Sequence, residues 1–396
     1  MDTIAGLISE HLRPTGTCSG SPMKHAPLRL PSDQTKEINC SDSAQTIPLA
    51  SEHVATTVPQ SSGDACSDVP FCEFPSGDAP VGKSNSETLM PEAEQTQKDW
   101  KANLAEIGEK EGFFEQIGEL HSALFVKRGE TLIVTFENLD HVFEHADTRM
   151  PWGHHFVETN GWSMLGMMAQ GWTWYRDEAV FDFFDRLRDE RFFDQFDQVI
   201  FYGASMGGYA AAAFSAACPD ATVICISPQA TLDRDIASWE TRYKKAWHRN
   251  FSSRYGFAPK MIASAHRVYV FYDPTQHLDA MHAALFSGEN VQKFQCRYFG
   301  HRIASLWQQI GILKPVILDC VGGTLTRPKF YKYLRARRDN NRYHKELIAR
   351  LEAARRYSLV IKLGKAILAR RRGPFFRQAI RRAETALASP KKRARA

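Results

Sequence analysis

Short apolar runs alternate along this chain with segments of helical period, and most of them end at turn-forming residues. Thr131 to Phe136, Val199 to Tyr202, Ala221 to Ser227, Arg267 to Tyr272 and Val291 to Phe299 are compact and rich in β-branched and aromatic side chains, which predicts strands. Ala123 to Lys127 reads as a further strand, joined to Thr131–Phe136 as a hairpin through Arg128-Gly129-Glu130. The next strand is expected within 152–168, through Phe156-Val157 or Ser163 to Leu165. Lys101 to Leu120 reads as a helix, and Asp177 to Arg188 carries apolar residues at amphipathic helical spacing. Strands alternating with helices predict a mostly parallel sheet covered on both faces. Residues 1–98 differ: they are rich in Ser, Thr, Pro, Gly and Asp and poor in long apolar runs, so they are expected to be disordered.

The most informative junction is Gln198 to Phe214. Its apolar run meets Gly203-Ala204-Ser205-Met206-Gly207, and an Ala-rich segment of high helix propensity follows. Strand, sharp turn and helix with a serine at the apex make a nucleophile elbow. The glycines permit a tight turn and close backbone approach. Ser205 is the candidate nucleophile, and the backbone N–H of Met206 is a candidate donor to an oxyanion.

A serine hydroxyl needs a base, and the base needs an orienting group. Asp273 follows the strand Arg267–Tyr272, so it is the expected acid; Asp279 is the alternative, with helix capping as its competing role. His301 follows Gly300 after the run Val291–Phe299 and is the candidate general base and acid. A second oxyanion donor is expected after Thr131–Phe136, from the backbone of Asn138 or Leu139.

Over residues 118–320 these features resemble the α/β-hydrolase superfamily, through Gly203-Ala-Ser205-Met-Gly-Gly208, Asp273 and Gly300-His301. The resemblance implies an α/β-hydrolase-like fold: a mostly parallel sheet with helices on both faces. Its expected boundaries are 99–326, after a disordered region 1–98 and before a basic helical extension 327–396. It implies an acyl-serine intermediate on an ester, thioester or amide, borne by a small molecule or a polymer, with no cofactor. A narrower resemblance, through Ser227 to Asp233 and Phe271 to Phe286, is to an alphaproteobacterial group. Some of its members carry the label phosphoadenosine phosphosulfate reductase. Such a reductase would need a mobile reactive cysteine and a Gly-rich phosphate loop, and neither is read here.

Net charge is +5, but 23 basic and 4 acidic residues fall in 327–396, a surplus of +19 that leaves −14 on the remainder. Tyr331 to Arg338, Glu346 to Arg372 and Phe375 to Leu387 read as helices, with Leu347, Ile348, Leu351, Leu359, Leu363 and Ile367 as an apolar stripe. Three partners compete for this extension. They are the acidic remainder of the protein, an anionic membrane surface or acidic polymer, and nucleic acid bound without sequence choice. The eight cysteines show no C-x-x-C pair, so they are expected to be reduced. His141, His145, His154 and His155 cluster with Glu144 and Asp147, but not at zincin spacing on a predicted helix, and no metal is expected. The first ten residues lack a basic n-region and no run of 18 apolar residues occurs, so the expected compartment is the cytoplasm.

Trp239, Tyr243, Trp247, Phe251, Tyr255 and Phe257 crowd 233–261, which reads either as a lid or as ordinary packing. As a lid it would bring Arg242, Lys244 and Lys245 toward an anionic substrate. The function expected is serine hydrolysis of an acyl group. The alternatives are acyl transfer on the same fold, a binding module with an idle elbow, and an adaptor acting through the basic extension.

Overall fold

Runs buried on both faces build the centre of the molecule. The computed structural model describes residues 90–139, 150, 151 and 153–388. Its strands are Gly112–Ile117 (β1), His121–Val126 (β2), Thr131–Asn138 (β3), Ser163–Ala169 (β4), Gln198–Ala204 (β5), Thr222–Ile226 (β6), Arg267–Tyr272 (β7) and Val291–Gln295 (β8). They form one sheet of eight in the order β1-β2-β4-β3-β5-β6-β7-β8. The pairs β1/β2 and β2/β4 are antiparallel, and every pair from β4 to β8 is parallel. Helices Met90–Glu111 (α1), His154–Thr159 (α2), Glu178–Asp189 (α3), Met206–Phe214 (α4), His277–Leu285 (α5), Ile303–Gln309 (α6) and Leu313–Val321 (α7) accompany it. This is the α/β-hydrolase-like arrangement of a mostly parallel sheet with covering helices.

The expected hairpin does not form. β4 lies between β2 and β3, with Ala123 opposite Met167 and Val134 opposite Leu165. All six residues of β2 are buried, so the strand needs neighbours and cover on both sides, which an edge hairpin does not supply. The connection is tied to β4 itself: the N–H groups of Arg128 and Gly129 donate to Ser163 Oγ at 2.9 and 3.2 Å. The expected helix 101–120 ends at Glu111, and its remainder becomes β1. Gly112 lies so close to the carbonyl of Phe125 that a side chain there would collide with it, which lets helix turn directly into strand. Phe156 and Val157 fall in α2, and the strand of that region is β4.

Asp177 caps α3, accepting from Ala179 N–H at 3.0 Å, and Val180, Phe181, Phe183, Phe184 and Leu187 form its buried face. Phe184 stacks on Phe214 of α4 at 4.5 Å, and Phe136 of β3 stacks on both. Strand and elbow helix are thereby fixed to one aromatic layer.

Basic helices follow: Arg327–Tyr333 (α8), Asn341–Ala353 (α9), Tyr357–Leu368 (α10) and Pro374–Ala388 (α11). The single helix expected over 346–372 is broken at Ala354–Arg356, where Arg355 takes a left-handed φ of 53°. The apolar stripe is used internally, since Ile348, Val360 and Ile367 pack with Phe376, Ala379 and Ala383. Phe330 of α8 is fully buried against Phe271, Phe294 and Trp307, so the basic region begins inside the core of the sheet domain. Residues 1–89, His141, Glu144, His145, Asp147, Trp152 and Lys391 to Arg395 lie outside the described residues. So do Cys18, Cys40, Cys66 and Cys72.

Candidate active site

β5 and α4 meet at Ser205, whose backbone takes φ 53° and ψ −121°. That is a costly conformation for a residue with a side chain, and it persists because both flanks are pinned. Ser205 N–H donates to the Ile226 carbonyl at 2.9 Å, and Tyr209 N–H to the Ser205 carbonyl at 2.9 Å. Two glycines make this approach possible. A side chain on Gly203 would strike the backbone of Gly207, and a Cβ on Gly207 would stand 2.5 Å from the Phe136 carbonyl oxygen. The carboxyl end of β3 therefore borders the elbow. Met206 opens α4, so its N–H has no acceptor within the helix. Its sulfur accepts from Trp174 N–H at 3.2 Å, which draws the loop after β4 onto the same corner.

His301 comes from the loop after β8. Its Nε2 lies 2.9 Å from Ser205 Oγ, and its Nδ1 lies 2.9 Å from Asp279 Oδ2. Asp279 is 1 % exposed. Burial alone would raise its pKa, but the hydrogen bond from His301 and the charge of Arg242 outweigh it and hold the carboxyl below its ordinary value. An ionised carboxylate only accepts, so Nδ1 carries the hydrogen and Nε2 is left to accept from the serine. That is the direction of proton movement serine activation requires.

Asp273 does not reach the imidazole. Its Oδ1 accepts from the N–H and hydroxyl of Thr275 at 2.8 and 2.7 Å, and its Oδ2 accepts from Gly300 N–H at 2.8 Å. The expectation of Asp273 as the orienting acid is therefore corrected. It clamps the turn after β7 to the loop carrying His301, while Asp279, on the first turn of α5, holds the ring. The carboxylate at the strand end satisfies the backbone of its own turn, a common use of Asp there.

A chain of charges continues behind Asp279. Arg242 Nη1 donates to Asp279 Oδ1 at 2.7 Å, and Arg242 Nη2 to Glu240 Oε2 at 2.6 Å. His282 Nδ1 accepts from Ala230 N–H at 3.1 Å, so its Nε2 carries the hydrogen and donates to Glu240 Oε2 at 3.0 Å. Burial would raise Glu240, but His282 and Arg242 together hold it at about 2. Arg242 is thus held by two carboxylates, not turned toward an incoming substrate. Its segment contains only single turns, Arg234–Ala237 and Ala258–Met261 among them, and Phe251 and Tyr255 are core residues. Packing accounts for these two rings.

Tyr243 enters the site from this segment. Its hydroxyl is 3.3 Å from His301 Nε2 and accepts from Gln229 Nε2 at 3.3 Å. Burial pushes its pKa up to about 12, so the phenol keeps its proton. Sequence reasoning passed over Tyr243, Glu240, Gln229 and His282 as site residues. The one available signal was the Glu240-Thr-Arg242-Tyr243 cluster of polar groups inside an aromatic segment. Asn138 is the last residue of β3, in register with Ala169 of β4, and the loop after it, from 140 to 149, lies outside the described residues.

Among the described residues no group of three His, Cys, Asp or Glu is placed to hold a metal ion. His154 and His155 open α2, and His155 Nδ1 lies 3.8 Å from Glu158. Cys218, Cys225, Cys296 and Cys320 are buried free thiols, and burial raises the pKa of each, to about 12 for Cys218. Buried apolar surroundings leave such thiols inert. No helix among the described residues is long and apolar enough to cross a membrane.

The sheet order, the elbow and the position of Ser205 and His301 at the carboxyl ends of the strands define an α/β-hydrolase fold. No family model matches the chain, and no curated protein matches it. Solved structures similar to it include the capsule O-acetyltransferase of Neisseria meningitidis serogroup A, 13 % identical over 51 % of this chain and 93 % of that one, with a TM-score of 0.34. An esterase of Pyrococcus furiosus is 13 % identical over 53 % and 90 %, with a TM-score of 0.34. A thermostable carboxylesterase cloned from a metagenomic library is 13 % identical over 59 % and 98 %, with a TM-score of 0.34. These likenesses are coarse, and the reading of the site rests on its own geometry.

Proposed function

We propose that the chain is a serine-dependent acyl hydrolase acting through an acyl-serine intermediate. The observation that carries this reading is the unbroken hydrogen-bonded series Ser205–His301–Asp279 at a strained elbow. In the forward direction Ser205 Oγ attacks an acyl carbon while His301 Nε2 takes its proton. Asp279 keeps the imidazole in the productive tautomer and stabilises the imidazolium. The N–H of Met206 faces the developing oxyanion. The leaving group departs with the proton from Nε2, and water, activated by the same nitrogen, releases the acyl group. No step in this sequence calls on a cofactor.

The test is labelling of the full chain with a fluorophosphonate probe, alongside Ser205→Ala and His301→Ala. Labelling that is lost in both variants supports the reading. A folded wild-type protein that neither labels nor hydrolyses simple acyl esters removes it.

A further inference from the structure

In the acylation half of the cycle His301 Nε2 acts twice, once to take a proton and once to return it. When the proton is returned, the leaving-group oxygen must stand within hydrogen-bond reach of Nε2, about 3 Å away. That place is bordered by a second polar group. The hydroxyl oxygen of Tyr243 lies 3.3 Å from the same nitrogen.

The phenol is fixed there by its surroundings. Its ring meets Trp174 edge-on at 4.9 Å, and the Arg242 guanidinium lies 5.2 Å from its centre. Gln229 is fully buried, and its Nε2 donates to the phenol oxygen. An amide N–H occupies a lone pair of that oxygen and leaves the phenol hydrogen to point elsewhere. Ser205 sits closer to Nε2, at 2.9 Å, and takes its lone pair in the resting site. The acceptor beside the phenol in the resting site is Ser205 itself, and once that oxygen is bonded to the acyl carbon it accepts more weakly, so the Tyr243 hydrogen passes to the leaving oxygen.

We propose that Tyr243 donates a hydrogen bond to the leaving-group oxygen, and that the site is thereby suited to oxygen esters of aliphatic alcohols. This rests on the acyl-serine reading and specifies its substrate class. As the tetrahedral adduct collapses, the bond between acyl carbon and leaving oxygen breaks. The oxygen takes the bonding pair and receives the proton from His301 Nε2. Tyr243 lends a hydrogen bond and keeps its own proton, so nothing further is consumed. An alkoxide gathers much negative charge before it is protonated, and a donor present at that moment lowers the barrier. A thiolate leaves readily and accepts hydrogen bonds weakly, and a nitrophenolate spreads its charge, so neither gains much. In the second half of the cycle the incoming water occupies the same place.

The experiment compares full-length wild type, Tyr243→Phe and Gln229→Ala on three acetyl substrates: ethyl acetate, p-nitrophenyl acetate and S-ethyl thioacetate. Fluorophosphonate labelling and circular dichroism are run on the same preparations. Tyr243→Phe is expected to lose about tenfold in kcat/KM on ethyl acetate and less than about twofold on the other two, the loss of one hydrogen bond made in the transition state. Gln229→Ala leaves the phenol in place but unoriented, and is expected to show the same selectivity at smaller size; it decides the matter if Tyr243→Phe does not fold. An equal loss on all three substrates would assign the donor to Ser205 Oγ or to the acyl oxygen and overturn the proposal, and so would no loss on ethyl acetate. Absence of wild-type labelling and turnover strikes the acyl-serine reading itself. Labelling without leaving-group selectivity strikes only this inference.

Discussion

Arg242 Nη1 donates to Asp279 Oδ1 at 2.7 Å, on the oxygen opposite the one that faces His301. Each oxygen of the carboxylate therefore has a cationic or polar partner, and the group cannot rotate away from the imidazole without breaking a charge-assisted bond. Glu240 holds the guanidinium from behind. The position of the ring is set by Asp279, Arg242 and Glu240 in series.

Asp279 and Asp273 are predicted to separate cleanly on mutation. Asp279→Asn presents an amide to Nδ1, favours the wrong tautomer, and is expected to lower kcat by about 10³ to 10⁴ with the fold intact. Asp273→Asn weakens the clamp between Thr275 and Gly300, and is expected to cost about 1–3 kcal/mol of stability with a far smaller loss of rate. Ester turnover together with urea unfolding checks both. Equal rate losses in the two variants would contradict the assignment.

Acidification is predicted to destabilise the protein in two windows. His121 is buried against Thr173, and burial lowers its pKa from 6.5 to about 4. Between those values the unfolded chain binds a proton that the folded one does not, so stability falls as pH drops through them. Glu240 is held at about 2 against an ordinary 4.5, and the same sign applies over that lower range. Urea unfolding from pH 7 to pH 3 checks this. His121→Asn is expected to reduce the upper loss, to which buried His282 also contributes, and Glu240→Gln the lower one.

Gly207→Ala is predicted to damage the elbow from its back. The added carbon meets the Phe136 carbonyl oxygen at 2.5 Å, and backbone on both sides has no flexible end to give. A cost of about 1–3 kcal/mol is expected, with β3 and the elbow pushed apart. Thermal unfolding reads the first effect, and the rate of fluorophosphonate labelling reads the second.

Phe330→Ala is predicted to cost about 3–5 kcal/mol, as for other fully buried aromatics truncated in a core. The ring fills a pocket formed by Phe271 of β7, Phe294 of β8 and Trp307 of α6. Truncation before Arg327 is expected to be at least as damaging. A chain ending at Thr326 that unfolds with wild-type stability in urea would contradict this.

Local chemistry made much of this molecule readable. The elbow, the strands β5 to β7 and helix α3 follow from apolar runs and a capping Asp177, which are properties of neighbours in sequence. The failures were of long-range pairing. Nothing in Arg128-Gly129-Glu130 shows that β4, more than thirty residues later, inserts beside β2. In the site, Ser205 and His301 sit at punctuation that any strand-ending turn displays. Asp279 lies mid-turn on a helix, and its role depends on Arg242, a residue brought to it across 37 positions of sequence. Asp273 had the better local signal, and that signal belonged to its own turn. Tyr243 looked like one aromatic among many because its hydroxyl, not its ring, does the distinctive work.

One excess negative charge follows from the side chains gathered around Arg242. Glu240 and Asp279 carry two negative charges, Arg242 one positive, and His282 is kept neutral by burial, so the resting assembly bears a net −1 beside the serine. When His301 takes up the serine proton, that assembly becomes neutral just as negative charge gathers on the substrate. An acyl or alcohol group bearing its own anion meets the resting −1 first. On the acyl-serine reading proposed above, such a group is disfavoured before any bond is made, and an uncharged ester is not.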